Sequence, residues 1–234
     1  MPNIPYEGKE LELFQHASVW KNYFGSFVKP YLKGRVLEVG AGLGSTTLQL
    51  CTGEQQDWIC LEPDQTLFEE LNGKIHLQQL PPCCVAVNGT IDDLLPGESF
   101  NAILYIDVIE HISNDRTELV KAAKLLASGG YLIVLVPAHQ WLITPFDNAI
   151  GHLRRYNKKE LKAAGPIDLE LHSSKYLDSC GLIALIANKF FLKQAYPTLS
   201  QIRFWDKVMI RISRITDVLT AYSLGKSLIT IWKR

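Results

Sequence analysis

A doubly wound α/β fold is predicted by two features of this 234-residue chain: short apolar runs that alternate with helical segments, and a glycine-rich turn after the first run. The runs are almost continuously apolar, which is typical of parallel strands covered on both faces. Strand followed by helix, repeated along the chain, predicts one mostly parallel sheet with helices on both faces. The predicted strands are 35–39, 57–61, 84–88, 101–106 and 130–136, and the predicted helices are 44–52, 64–73, a short piece at 90–95, and 115–127.

The segments that flank this alternation are predicted to be mostly helical. Residues 10–32 place apolar side chains at helical spacing, and Gly129 with Gly130 is expected to end the helix before the fifth strand. The second half is predicted to hold a loop at 138–156, a helix at 157–164, a helical tail at 182–222 and a last, antiparallel strand at 227–232. We expect one domain over 1–234, made of an N-terminal helical segment (1–33), a ligand-binding core (34–137) and a substrate loop with helical insertion and last strands (138–234).

The composition argues against several classes of protein. Lys plus Arg and Asp plus Glu both number 24, so the chain lacks the basic excess of a nucleic-acid-binding domain, and we expect no nucleic-acid partner. The five cysteines have no paired CxxC spacing, so we expect neither a disulfide framework nor a metal site, and Cys83 with Cys84 is expected in the core. No signal peptide or membrane span is predicted, and we expect a cytoplasmic protein.

The strongest local signal is the segment Val36-Leu-Glu-Val-Gly-Ala-Gly-Leu-Gly-Ser-Thr-Thr47. Glycines at 40, 42 and 44 allow a tight turn and let a ligand approach the backbone closely. In an open α/β sheet, ligands bind beyond the carboxyl ends of the strands, where this turn is predicted. Ser45 stands where a dinucleotide-binding fingerprint has its third glycine, so the spacing disfavours NAD.

An acid two residues before the glycines and a second acid after the next strand complete the pattern. Glu38 precedes Gly40, and Glu62 follows it by twenty-two residues within Leu61-Glu62-Pro63-Asp64. This arrangement resembles class I S-adenosylmethionine-dependent methyltransferases of the small-molecule branch. The resemblance covers residues 30–140 well and extends more loosely through Gly151-His-Leu-Arg-Arg-Tyr156. It implies a Rossmann-like sheet, S-adenosyl-L-methionine as cofactor, and methyl transfer to a small-molecule acceptor, possible acceptors including anionic and lipid-linked ones.

The resemblance also implies which residues contact the cofactor. Glu38 is expected to face the cationic amino-acid end, and Glu62 to accept both ribose hydroxyls. The segment after the third strand is expected beside the adenine, and Asp107 beside the methyl-donor sulfur. The predicted cofactor residues are Glu38, Gly40, Ala41, Gly42, Gly44, Glu62, Pro63, Thr90, Ile91 and Asp107. Each acid also has a structural alternative. Glu38 could be an ordinary strand-end carboxylate, and Glu62 and Asp107 could be acids at the start of a helix.

Acceptor binding and catalysis are expected from the loop after the fifth strand and from the segment after the fourth. A hydroxyl acceptor needs a base, and His152, His139 and His111 are the candidates, in that order. Arg154 and Arg155 suggest an acceptor with a carboxylate or phosphate, because the guanidinium fork matches either group. The predicted catalytic residues are His152, His139, His111, Arg155 and Tyr156. The alternative is that this basic loop is a solvated surface.

Other functions remain open at this point. An NAD-dependent oxidoreductase is disfavoured by Ser45 and Glu38, and a non-catalytic cofactor-binding protein is not excluded. A nucleic-acid methyltransferase is disfavoured, because the chain has no net positive charge to attract a nucleic acid. In the tail, an apolar stripe comprises Ile202, Trp205, Val208, Met209, Ile212 and Ile215, with Arg203, Lys207, Arg211 and Arg214 between its members. We expect this stripe to pack on the core, whereas a membrane surface is the less favoured alternative.

Overall fold

The computed structural model describes residues 10–95, 97–192 and 196–234. Residues 1–9 of the predicted N-terminal segment and residues 193–195 of the predicted tail therefore lie outside the described part. A seven-stranded sheet with the order β3-β2-β1-β4-β5-β7-β6 forms the centre. The strands are β1 Arg35–Val39, β2 Asp57–Glu62, β3 Cys84–Asn88, β4 Phe100–Ile106, β5 Leu126–Pro137, β6 Glu170–Leu177 and β7 Ser227–Lys233.

The pairing confirms the predicted doubly wound α/β fold. β1 pairs in parallel with β2 and β4, β2 with β3, and β4 with β5, whereas β7 runs antiparallel to both β5 and β6. The strand that precedes each parallel crossover thus ends at the same edge of the sheet. The helices are α1 Glu10–Phe14, α2 Ser18–Val28, α3 Ser45–Leu50, α4 Gln65–His76, α5 Asp115–Lys124, α6 Pro145–Ala149, α7 Lys158–Ala164, α8 Ser179–Ala187, α9 Leu199–Phe204 and α10 Ile210–Leu219.

Two apolar cores lie on opposite faces of the sheet because successive strand residues point to opposite sides. In β1, Val36 belongs to the core that α2, α4 and α9 cover, while Leu37 belongs to the core that α5 and α7 cover. Trp58 and Trp232, one in each core, are among the largest fully or almost fully buried side chains. The first face is the one that carries both the N-terminal and the C-terminal helices.

Three element predictions were wrong. The helix predicted at 115–127 ends at Lys124, and β5 begins at Leu126, with a register shift in its pairing to β4 and Gly129 at φ +75°. The glycine pair therefore lies inside an irregular strand instead of ending a helix. The loop predicted at 138–156 contains α6, which Thr144 and Asp147 cap reciprocally. β6 was not predicted, because an exposed edge strand lacks a continuous apolar run.

The side chain of Glu38 lies on the face of β1 that the N-terminal helices cover, and only 2% of the residue is exposed. Its Oε2 accepts hydrogen bonds from the Thr47 hydroxyl at 2.7 Å and from the Trp58 indole N–H at 2.8 Å. Glu38 thus ties the first strand to the helix that follows the glycines. Burial raises the pKa of its carboxyl to about 7, and the two hydrogen bonds only partly oppose this shift.

We predict that Glu38 makes stability pH-dependent. Because its folded-state pKa lies above the ordinary value of 4.5, its contribution is full below pH 4.5 and is lost as the pH rises through 7. The loss amounts to roughly 1–3 kcal/mol. Between about pH 5 and about pH 8, the free energy of unfolding of wild type should therefore fall by that amount relative to that of Glu38→Gln. Urea titrations at the two pH values measure this difference. Exposed Glu69→Gln is the control, and identical pH profiles for wild type and Glu38→Gln would contradict the prediction.

Candidate active site

A cavity of about 1060 Å³ opens at the carboxyl edge of the sheet. The glycine turn, the ends of β2 and β4, and the segment after β5 contribute polar groups to its lining. The helices α1, α2, α8 and α9 form the rest of its wall. Pockets for one drug-sized ligand have volumes of roughly 300–1,000 Å³, so this cavity has room for two ligands.

Glu62 holds the glycine turn against the end of β2. Its Oε2 accepts the backbone N–H of Gly42 at 2.7 Å, and its Oε1 accepts the backbone N–H of Asp64 at 3.0 Å. Burial raises the pKa of Glu62, although the amides of Asp64 and Gly42 oppose the shift. Each carboxylate oxygen has a further lone pair, so Glu62, which lines the cavity, retains acceptor capacity for a pair of hydroxyls.

The predicted cofactor residues divide into two groups. Those that line the cavity are Gly40, Gly42, Glu62, Pro63 and Asp107. Those that do not are Glu38, Ala41, Gly44, Thr90 and Ile91. Gly44 is constrained by packing, since a Cβ there would lie 2.7 Å from Leu71 Cδ1. Ile91 packs in the second core, and Thr90 forms a capping box with Asp93. For this second group, direct contact with a cofactor stays a prediction.

Asp107 ends β4 in a backbone conformation that few non-glycine residues adopt, with φ +54°. Asp107 is exposed and lines the cavity. Burial raises the pKa of its carboxyl, and the charges of His152 and Lys226 oppose that effect. Strain of this kind is common where a side chain must be aimed at a ligand.

Two lysines that the sequence analysis did not single out also line the cavity. Lys21 is 6% exposed, and its ammonium donates to the carbonyl of Phe14 at 2.7 Å. Burial lowers its pKa to about 8. Lys226 lies 3.5 Å from the buried carboxylate of Asp178, with its ammonium 3.7 Å from the centre of the Trp205 ring. Neither lysine lies in a recognisable motif, so only the tertiary fold identifies them.

His152 and Arg155 both line the cavity and share one buried partner, Asp147 of α6. His152 Nδ1 lies 2.9 Å from Asp147 Oδ1, while Arg155 donates through Nε and Nη2 to the two oxygens of the same carboxylate. Burial disfavours the charged carboxylate, but the hydrogen bond from His152 and the charge of Arg155 together hold the pKa of Asp147 well below its usual range. The fork of Arg155 is thus already occupied by protein.

His111 packs edge-on against His152, with ring centroids 4.7 Å apart, and it also lines the cavity. Burial, together with the neighbouring His152, lowers the pKa of His111 to about 4, so its imidazole is neutral. Behind the two rings lies Glu110, which is fully buried. Burial, together with the charge of Asp107, raises the pKa of Glu110 well above its ordinary value. His111 ends a short 3₁₀ turn, Ile109–His111, and lines the cavity together with Asp107.

Three of the loop residues singled out from the sequence, His139, Arg154 and Tyr156, lie outside the cavity wall. Tyr156 is 2% exposed and donates its hydroxyl to Asp115 at 2.8 Å. Arg154 forms an ion pair with the same Asp115 at 2.8 Å. His139 stacks on Tyr176 and contacts the carbonyl of Gly225. These positions do not support the expectation that Tyr156 and His139 act on substrate, or that Arg154 grips an acceptor anion.

Three buried aspartates hold the C-terminal helices over the cavity. Asp206 accepts the backbone N–H of Trp20 at 2.8 Å, which fixes the start of α2. Asp217 accepts the hydroxyl of Tyr23 and the backbone N–H of Asp178. Asp178 in turn accepts the indole N–H of Trp205 at 2.7 Å. The sequence analysis missed all three, because charged residues within amphipathic helices are usually solvated.

The helix pair α9–α10 corrects the prediction for the apolar stripe. Ile202 and Trp205 pack inward, as expected. Val208, Ile212 and Ile215, however, are 41%, 48% and 65% exposed. No helix in the described ranges combines the length and apolar character needed to cross a bilayer.

Residues 37–134 match the model of a methyltransferase domain family. No curated protein matches the sequence. Among solved structures, coclaurine N-methyltransferase bound to N-methylheliamine and S-adenosylhomocysteine aligns with 93% of this chain and 72% of its own, at 13% identity and a TM-score of 0.62. Geranyl diphosphate methyltransferase in complex with S-adenosylmethionine aligns over 91% and 85%, at 10% identity and a TM-score of 0.63.

A third similar structure is an S-adenosylmethionine-dependent methyltransferase from Clostridium acetobutylicum ATCC 824. It aligns over 93% of this chain and 91% of its own, at 11% identity and a TM-score of 0.59. The domain match, the strand order and the glycine turn held by Glu62 agree with one another. The chain therefore has the fold of these methyltransferase structures, and its residues 37–134 match a methyltransferase domain family.

Proposed function

We propose that this chain is an S-adenosylmethionine-dependent methyltransferase that acts on a hydroxyl or similar nucleophile of a small molecule with a long apolar portion. The observation that supports the proposal is the mixed lining of the cavity. Glu62, Asp107 and His152 contribute polar groups from the carboxyl edge of the sheet and the loop beside it. The C-terminal helices contribute a set of mostly apolar side chains, Ala184, Leu185, Ile202, Phe204, Trp205 and Met209. The acceptor type and the residues that contact it are parts of this proposal.

In the reaction, a bond forms between the acceptor atom and the methyl carbon while the carbon–sulfur bond breaks, leaving S-adenosylhomocysteine. The proton of a hydroxyl acceptor must leave as well. Because the sulfonium is already activated, the chief task of the protein is alignment and the exclusion of water. We infer that Glu62 binds the ribose and that His152, held by Asp147, lies at the acceptor side. The match to a methyltransferase domain family does not support the alternative of an NAD-dependent oxidoreductase.

Glu62→Ala removes the acceptor for the Gly42 amide and, in this proposal, for the ribose. Its affinity for S-adenosylhomocysteine in calorimetry should fall by about 1–3 kcal/mol. Exposed Glu69→Ala, on the neighbouring helix α4, is the matched control. Unchanged affinity in a folded Glu62→Ala protein would remove Glu62 from the cofactor site.

Replacement of His152 by alanine should lower kcat roughly a hundredfold, which is the lower end of what a proton-transferring group contributes. The affinity for the cofactor should stay unchanged. His139→Asn is the control, since His139 lies in the same segment but outside the cavity. The acceptors to screen are matched alcohols with and without a long isoprenoid or alkyl chain. Equal turnover by His152→Ala and wild type would contradict the role, and faster turnover of short acceptors would contradict the proposed apolar portion.

A lipid-like acceptor also gives meaning to the outer face of α9–α10. Arg203, Lys207, Arg211 and Arg214 form one exposed line, and Phe204, Val208, Ile212 and Ile215 form a second line one residue along. The acids of this segment, Asp206 and Asp217, are buried, so its exposed charges are all positive. Phe204 is 59% exposed and also lines the cavity. We infer that this face contacts an anionic lipid surface, from which an acceptor enters.

If the outer face of α9–α10 contacts anionic lipid, wild-type protein should bind phosphatidylglycerol vesicles more tightly than phosphatidylcholine vesicles in sedimentation assays. Double charge reversal by Arg203→Glu with Arg211→Glu should weaken binding at least tenfold, given about 1 kcal/mol for each basic residue near the surface. Lys159→Glu with Lys162→Glu, on exposed α7 positions, is the control pair. Equal binding to both vesicles, or equal loss in the control pair, would contradict the contact.

A further inference from the structure

Glu110 is a carboxyl group with no hydrogen-bond partner in the part of the chain that the structure describes. It is fully buried, and neither Oε1 nor Oε2 has a hydrogen-bond partner. Buried polar groups are almost always satisfied by protein, water or an ion. The other buried carboxylates near the cavity, such as Asp147 and Glu62, are satisfied by side-chain or backbone donors. Glu110 therefore marks a place where a cationic partner fits.

Two imidazoles face this carboxylate at a spacing that suits a shared ion. His152 Nε2 lies 3.7 Å from Glu110 Oε1, which is too long for a hydrogen bond. Two ligand atoms that each lie about 2.1 Å from one tetrahedral ion are about 3.4 Å apart. With His111 included, the three ligand atoms all lie within 4.8 Å of one another. A small inward movement of the side chains would close the set.

The second nitrogen of His152 is already held, as it is in most metal-bound histidines. His152 Nδ1 bonds to Asp147, and Arg155 in turn binds that carboxylate. The ring of His111 lies against Gly151, where a Cβ would meet its Nδ1 at 3.5 Å. Such contacts fix the orientation of a ring, and the bond to Asp147 leaves His152 Nε2 free to bind a metal.

We propose that Glu110, His111 and His152 bind a divalent first-row transition-metal ion beside the acceptor end of the cavity. This proposal departs from the expectation, drawn from the cysteines alone, that the chain has no metal site. Two imidazoles and one carboxylate leave a coordination position open for a further ligand. If the proposed hydroxyl acceptor occupies that position, the ion lowers its pKa. The binding of the ion itself does not depend on that acceptor.

The test uses Mn²⁺ and the full chain after chelator treatment. The chain also has a cluster of three thiols, Cys51, Cys83 and Cys84. Mn²⁺ is the suitable probe, because thiolates prefer softer ions such as Zn²⁺. Calorimetry and Mn²⁺ electron paramagnetic resonance should show one saturable site in wild type. Glu110→Gln and His111→Gln should each weaken binding at least tenfold, whereas His139→Gln should not.

Two further readouts keep the result interpretable. Mn²⁺ should raise the melting temperature of wild type and not that of Glu110→Gln, and all variants should still bind S-adenosylhomocysteine if they fold. Absence of a saturable Mn²⁺ site, or equal Mn²⁺ affinity in Glu110→Gln, would overturn the metal site while leaving the methyltransferase proposal intact. If wild type bound Mn²⁺ but not S-adenosylhomocysteine, the methyltransferase proposal would be contradicted while the metal site would stand.

Discussion

The bond between Glu62 and the Gly42 amide is the contact on which the cofactor end of the cavity depends. It joins the turn after β1 to the end of β2, so two neighbouring parallel strands present one continuous surface. The same carboxylate also fixes the backbone at Asp64, whose side chain caps α4. Glycine is needed at 42 because φ is +54° there and Leu11 approaches the position of a Cβ. The turn is thus shaped by one buried acid and by the absence of side chains.

The acceptor end depends on a different kind of constraint, since its wall is formed by helices from both ends of the chain. Asp206 bonds to the start of α2 and Asp217 bonds to Tyr23, so the C-terminal helices are held over the cavity by buried acids. Hydrogen bonds to charged groups are stronger and more directional than apolar contacts. Apolar packing closes the cavity, and these bonds set the position of its cover relative to the glycine turn.

The extent of successful prediction follows from how local each signal is. The strands β1 to β5 were found because a parallel strand buried on both faces is apolar throughout, and Glu62 was found because a strand end fixes its place. β6 was missed because its exposed face is polar, and Lys21 and Lys226 were missed because no local pattern brings residues 205 positions apart to one cavity. The exposure of Ile212 and Ile215 was also beyond the sequence, since apolar periodicity shows that a stripe exists but not what covers it.

The segment after β4 shows how the two ends of the cavity are coupled. Asp107 turns sharply at positive φ, and the 3₁₀ turn that follows directs Glu110 inward and His111 toward the cavity. Leu153 donates its backbone N–H to the Glu110 carbonyl at 2.9 Å, which brings His152 to the same place. Residues 107, 110, 111 and 152 therefore form one compact group of two carboxyl groups and two imidazoles, although residue 152 is distant from the others in sequence. Asp147 and Arg155 neutralise each other beside this group. Burial raises the pKa of both Asp107 and Glu110, while the charges of His152 and Lys226 oppose the shift at Asp107. A cation bound between these side chains would stabilise the ionised form of either carboxyl, because a nearby opposite charge lowers the pKa of an acid.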